Sequence, residues 1–95
     1  MLYKITKIIS IEPYTVTCVF NTGEIREIDF TDWVNEFKQL HNDWTSRLAD
    51  PEFFITAKLA DYGTIAWGED IDFDPAVLYL KGRLAVNQST GIGQQ

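Results

Sequence analysis

The sequence predicts a single α+β domain: a three-stranded antiparallel meander, a main amphipathic helix, a second β-hairpin and a short C-terminal helix. Three observations support this fold class. Apolar and polar residues alternate near the N-terminus with the period of a strand. Large apolar residues then recur at the spacing of one helical face, and turn signals separate the segments. The 95 residues are 45% hydrophobic and 14% aromatic, which is enough apolar material to pack one core.

The predicted meander occupies the first thirty residues. YTVTCVF, residues 14–20, alternates cleanly, and YKITKIISI before it is rich in β-branched residues. One face of the second strand carries Tyr14, Val16, Cys18 and Phe20. The alternation of the first strand breaks near Ile8 and Ile9, which indicates a β-bulge. Pro13 marks the first turn, and Asn-Thr-Gly ending at Gly23 predicts a tight hairpin with a left-handed glycine.

A helix is predicted to follow, with Thr31 as its N-cap and an acidic residue in its first turn. Its apolar face consists of Trp33, Phe37, Leu40, Trp44 and Leu48. Asn42-Asp43 is a possible break, because both side chains compete for backbone hydrogen bonds. Such a stripe could line a ligand pocket, but we interpret it as the face that packs on the sheet.

The second hairpin is predicted from FITAKLA and TIAW, which flank the turn signal Asp-Tyr-Gly at residues 61–63. Asp50-Pro51 is interpreted as a turn before it. DPAVLYLKG then reads as a complete short helix, with Asp74 as N-cap, proline in the first position and a left-handed Gly82 after the last turn. The predicted domain covers residues 1–83, and residues 84–95 form a polar, flexible tail.

Composition restricts the class of partner. The net charge is −6, from 14 acidic and 8 scattered basic residues. Nucleic acids and anionic membranes are held mainly by clustered Lys and Arg, so neither is expected as a direct partner, whereas a basic protein is. No run of about 18 apolar residues and no signal-peptide pattern is present, so a cytoplasmic protein is expected. Cys18, the single cysteine, cannot form an internal disulfide or a cysteine-based zinc site and is interpreted as a core residue.

The stretch WGEDIDFDP holds four carboxylates within residues 69–74. Their spacing resembles the start of an EF-hand loop, but the required glycine is Pro75 and the required glutamate is Lys81, which excludes that motif. Three carboxylates in an extended segment could still face one divalent ion. The alternative is a solvated acidic turn that leads into a helix cap. His41 is the only histidine, and no arrangement of nucleophile, base and oxyanion donor accompanies it. No catalytic residue and no cofactor are therefore predicted.

Several stretches resemble a family of small bacterial proteins known as domain of unknown function 2442. They are ITKI, VFNTGEIREIDF, LADPEFF and GTIAWGEDIDFDPAVLY, and the resemblance covers the chain from about residue 3 to residue 80. Members often carry proline after the tryptophan of the last stretch, where this chain has Gly68-Glu69, so the local turn can differ. The resemblance implies an α+β fold and no established activity. It also implies an antitoxin-like role, because members are often encoded beside another small protein.

Three functions are consistent with these observations. The first is a non-enzymatic module for protein–protein interaction, with Trp67, Asp70, Asp72 and Tyr79 as partner-binding candidates, unless Trp67 and Tyr79 belong to the core. The second is a metal-dependent hydrolase that uses the carboxylates of residues 69–74. The third is a structural domain that associates with itself through exposed sheet edges.

Overall fold

A computed structural model of the chain describes residues 2–40 and 46–85 and confirms the α+β fold class. In chain order the elements are β1 (Ile5–Glu12), β2 (Thr15–Phe20), β3 (Ile25–Asp29), α1 (Thr31–Leu40), a 3₁₀ turn (Arg47–Ala49), α2 (Pro51–Phe54), β4 (Lys58–Leu59), β5 (Ile65–Trp67), β6 (Ile71–Asp72), α3 (Pro75–Lys81) and β7 (Arg83–Leu84). Trp44, the Asn42-Asp43 break and His41 lie outside the described residues.

The meander forms the larger sheet, whose strand order is β1-β2-β3-β7 with antiparallel neighbours. The predicted alternation is confirmed, since Val16, Cys18 and Phe20 are all buried. The bulge is confirmed as well, because the register of β1 against β2 shifts between Ile8 and Ser10. The hairpin glycine, Gly23, has the expected positive φ of 92°.

The start of α1 differs from the prediction. Thr31 is already helical, and its amide and hydroxyl both donate to the carboxylate of Asp29, over 2.9 and 2.6 Å. The N-cap position is Phe30, whose carbonyl oxygen accepts the Val34 amide over 2.8 Å, and the side chain that binds the first free amide comes from Asp29. Asp29 is well placed for this role because β3 ends there, which leaves its side chain beside the first free amides of the helix.

The predicted strand FITAKLA is shorter than expected, because its first residue, Phe54, is the last residue of α2. Asp50 accepts a hydrogen bond from the amide of Glu52 over 3.0 Å, and Pro51 occupies the first position of α2. Strand structure is confined to Lys58–Leu59. The prediction of a turn at Asp50-Pro51 was wrong, because this pair begins a helix in which proline loses no hydrogen bond.

The smaller sheet has the order β4-β5-β6, again antiparallel. Its first two strands confirm the predicted second hairpin, whereas the two-residue strand β6 was not predicted. Nor was β7, in which Arg83 and Leu84 pair with Glu27 and Arg26 of the larger sheet. Leu84 is the first residue of the predicted tail, and residues 86–95 lie outside the described range.

Gly82 follows α3 as predicted but for a different reason. Its φ is −75°, so it is not left-handed. A Cβ at this position would stand only 3.2 Å from Ile28 and 3.3 Å from Arg26. The glycine therefore allows the end of α3 to approach β3 closely.

Both sheets and helices α1, α2 and α3 share one core rich in aromatic side chains. Its largest fully buried members are Trp67, Phe20, Phe30 and Phe54. Trp33 and Phe37 of the predicted helical face pack against this core, which confirms the interpretation of that face for these two residues. Within residues 2–40 and 46–85, no helix has the length and apolar character needed to cross a membrane.

Candidate functional site

The four predicted contact residues, Trp67, Asp70, Asp72 and Tyr79, do not form one surface. Trp67 is the one that lies in the core. Its side chain is fully buried, and its indole N–H donates to the carbonyl oxygen of Phe54 over 2.8 Å. The ring contacts Phe30 and Phe73 edge-on. Trp67 is therefore a core residue, because β5 directs it into the aromatic cluster between the smaller sheet and the helices, and it cannot form part of an exposed contact surface.

Tyr79 is half-buried and occupied by contacts within the chain. Its ring stacks on Tyr3 with 3.9 Å between centroids, and the Arg26 guanidinium lies 4.0 Å from the ring centroid. Its hydroxyl donates to Glu24 over 2.5 Å, and this hydrogen bond raises the pKa of Tyr79. The Arg26 guanidinium also donates to the carbonyl oxygen of Gly82 over 2.9 Å. This side chain therefore joins β3 to the end of α3.

Asp70 is exposed and lies on the turn between β5 and β6. Both of its carboxylate oxygens accept hydrogen bonds from the Arg47 guanidinium, over 3.0 and 2.9 Å. Side chains this exposed, 45% for Arg47 and 60% for Asp70, gain little stability from pairing. Glu69 beside it is exposed too.

Asp72 stands on the solvent face of the smaller sheet. Ala66 of β5 lies opposite both Asp72 and Lys58, so these three residues share that face. The Asp72 carboxylate accepts a hydrogen bond from the hydroxyl of Tyr62, and this bond raises the pKa of the tyrosine. Glu69, Asp70 and Asp72 are called the acidic face below.

Asp74 has the structural role that the sequence predicts. Its carboxylate accepts the amide of Ala76 over 2.8 Å, and Pro75 occupies the first position of α3. The helix begins there because proline loses no hydrogen bond in that position. The four carboxylates of residues 69–74 thus divide into one helix cap and three members of the acidic face.

Two grooves flank Tyr62, whose side chain is 56% exposed. The N-terminal groove, of about 510 Å³, is lined by residues 2–4, Tyr62 and residues 72–76. The sheet groove, of about 490 Å³, is lined by residues 58–62, Ala66, residues 68–69 and residues 71–72. Tyr62 and Asp72 line both grooves, so this hydrogen-bonded pair lies between them.

Within the described residues, the two features considered for bond-breaking chemistry are a thiol and a group of metal ligands. Burial raises the pKa of the Cys18 thiol to about 12, so it is not a nucleophile at neutral pH. Among residues 2–40 and 46–85, no three His, Cys, Asp or Glu side chains are grouped so that they could hold one metal ion. His41, the remaining candidate for acid–base chemistry, lies outside the described residues.

Sequence reasoning missed Tyr62 and Leu2 as site residues. The sequence places Tyr62 in a turn and gives no indication for Leu2, although Leu2 is 74% exposed. A tyrosine next to Asp61 at the tip of a predicted hairpin was the available signal for the first. Leu2 gave no local signal, because its position depends on Asn21 in a distant hairpin.

Comparison with known protein families, with curated proteins and with solved structures finds no match to this chain. The resemblance to domain of unknown function 2442 therefore stays a prediction.

Proposed function

We propose that this protein is a non-enzymatic interaction module that binds a basic region of another protein through its acidic face. The observation that carries the proposal is the Tyr62–Asp72 pair, an exposed aromatic ring fixed to an exposed carboxylate between two grooves. Tyrosine is enriched at protein interfaces, where its ring adds contact area at little entropic cost.

Charge supports a basic partner. Glu69, Asp70 and Asp72 are all exposed, and the whole chain carries a net charge of −6. Such a surface attracts a positive partner and repels a second copy of itself. Binding should therefore weaken as the salt concentration rises, since exposed charges are screened.

The test is capture of partners from a lysate of the native host by the tagged protein, with and without nuclease. Glu69→Lys combined with Asp72→Lys reverses the acidic face. Glu12→Lys combined with Glu36→Lys is the matched control, because both of these glutamates are exposed and lie outside the two grooves. The two double variants change the net charge equally.

We expect the wild type and the control variant to retain one protein partner in near-stoichiometric amount, with or without nuclease. The variant with Glu69→Lys and Asp72→Lys should lose this partner. Capture of nothing, or equal capture by both double variants, contradicts the proposal. The metal-dependent hydrolase and the self-associating domain stay predictions, and calorimetry with magnesium or manganese and light scattering test them on the same samples.

A further inference from the structure

The N-terminal groove has a wall held firmly in place. Asn21 clamps residues 2–4: its side chain accepts the amide of Lys4 over 3.1 Å and donates to the Leu2 carbonyl oxygen over 2.8 Å. Its own amide donates to the Lys4 carbonyl oxygen over 2.7 Å. The next amide, of Ile5, donates to Gly63 over 2.7 Å. The Leu2 side chain is therefore presented to solvent from an anchored backbone.

The opposite wall is equally fixed. It is the first turn of α3, where the Asp74 cap holds Pro75 and Ala76 in helical geometry. Phe73 forms the floor beside it, and its carbonyl oxygen accepts the hydroxyl of buried Thr64. Tyr62 and Asp72 close one end. A site with walls set before binding spends little free energy on ordering them.

The groove is mainly apolar with a carboxylate at its rim. Its apolar surface comes from Leu2, Tyr3, Phe73, Pro75 and Ala76. Its charged lining residues are Lys4, Asp72 and Asp74, all exposed, so carboxylates outnumber the single cation. Leu2 and Tyr62 are 74% and 56% exposed, so the groove is open. Small ligands normally bury most of their surface, which an open groove does not provide. A segment of protein chain can bind in an open groove, because only the side chains that enter the groove need to be buried.

We propose that the N-terminal groove binds a short peptide segment of a partner protein, placing one apolar side chain between residues 2–4 and α3 and a neighbouring Lys or Arg against Asp72. This inference rests on the proposed function and adds the kind of sequence that is recognised. A second copy of the chain fits less well, because two chains of charge −6 repel each other.

The experiment selects a displayed library of random heptapeptides for binding to the immobilised full chain. Peptides that also bind the immobilised Ala76→Arg variant are removed from the library. That variant places a bulky positive side chain in the groove and keeps a good helix former in α3. We expect the enriched peptides to contain an apolar residue next to Lys or Arg. With a synthetic peptide of the enriched sequence, amide shifts of the labelled protein should concentrate at residues 2–4, 62 and 72–76.

Two variants with matched controls test the two halves of the motif. Leu2→Ser should weaken the selected peptide about tenfold, as expected for losing burial of one large apolar side chain. Ile55→Ser is its control, since Ile55 is 50% exposed and outside the groove. Asp72→Asn keeps an acceptor for Tyr62 and should weaken binding about threefold at low salt, with Glu36→Gln as its control.

The groove proposal is overturned if no peptide is enriched over Ala76→Arg, if the enriched peptides lack basic residues, or if Leu2→Ser binds like Ile55→Ser. Its failure is distinct from failure of the proposed function. If Ala76→Arg still captures a protein partner that the reversed acidic face loses, the groove assignment alone is wrong. If the wild type captures no protein partner, the proposed function is wrong.

Discussion

Trp67→Phe tests whether this tryptophan belongs to the core and not to a contact surface. The indole is fully buried and donates to the Phe54 carbonyl oxygen over 2.8 Å. Its centroid lies 5.5 Å from that of Phe30 and 5.8 Å from that of Phe73. Phenylalanine keeps one aromatic ring at this position but removes the donor and leaves part of the space empty.

The expected loss of stability follows from two contributions. The Phe54 carbonyl oxygen keeps the hydrogen bond from the amide of Ala57 over 3.2 Å, so loss of the indole donor costs about 1 kcal/mol, the net contribution of one hydrogen bond. The smaller ring forfeits apolar burial equivalent to about two methylene groups, or about 1.5 kcal/mol. Together they lower the free energy of unfolding by about 2.5 kcal/mol, a large part of the roughly 5–15 kcal/mol of a typical domain.

The assay is urea unfolding followed by far-UV circular dichroism, which does not depend on the removed fluorophore. Trp33→Phe is the matched control, since Trp33 is half-buried and stacks on Phe73 at the edge of the core. It should cost less than about 1 kcal/mol. If Trp67→Phe costs no more than Trp33→Phe, the reasoning from burial and the indole hydrogen bond is refuted.

Two further predictions concern the carboxylates that cap helices. Asp74→Ala should lower the free energy of unfolding by about 1 kcal/mol, because the amide of Ala76 loses its acceptor; an unchanged urea midpoint contradicts the capping role. The Thr31 hydroxyl and amide hold the pKa of Asp29 below its ordinary value. This carboxylate therefore stabilises the fold above the unfolded-state pKa, and that contribution is lost as the pH falls through the lower folded-state pKa. The free energy of unfolding of Asp29→Asn should therefore fall less than that of the wild type as the pH is lowered through these two pKa values. Identical dependence of the free energy of unfolding on pH in the two proteins would contradict this role of Asp29.

Local signals predicted the elements whose causes are local. The alternation of residues 14–20 placed β2, and Asp74-Pro75 placed α3. The same signature occurs at Asp50-Pro51. A turn was predicted there, whereas the structure has the start of α2. The following residues explain the error: Phe53 and Phe54 both face apolar surroundings, which a helix achieves by its spacing and an alternating strand does not.

The remaining features depend on residues that are distant in the sequence. Strand β7 forms because Leu84 pairs with Arg26 of β3. Gly82 is required because α3 approaches β3 too closely for a side chain at that position. The position of Leu2 is set by Asn21. No pattern of neighbours along the chain reports such contacts, since each depends on the assembled core. The site was therefore predicted less well than the fold.

The partners of each carboxylate in the stretch 69–74 suggest how to separate folding from recognition. Asp74 is bound by a backbone amide that has no other acceptor in its own helix, so its substitution should act on stability. Asp70 and Asp72 are bound by the side chains of Arg47 and Tyr62 at the surface, where water can replace either partner at little cost. Substitution there should leave the urea midpoint almost unchanged, so that any loss of partner capture reports recognition directly.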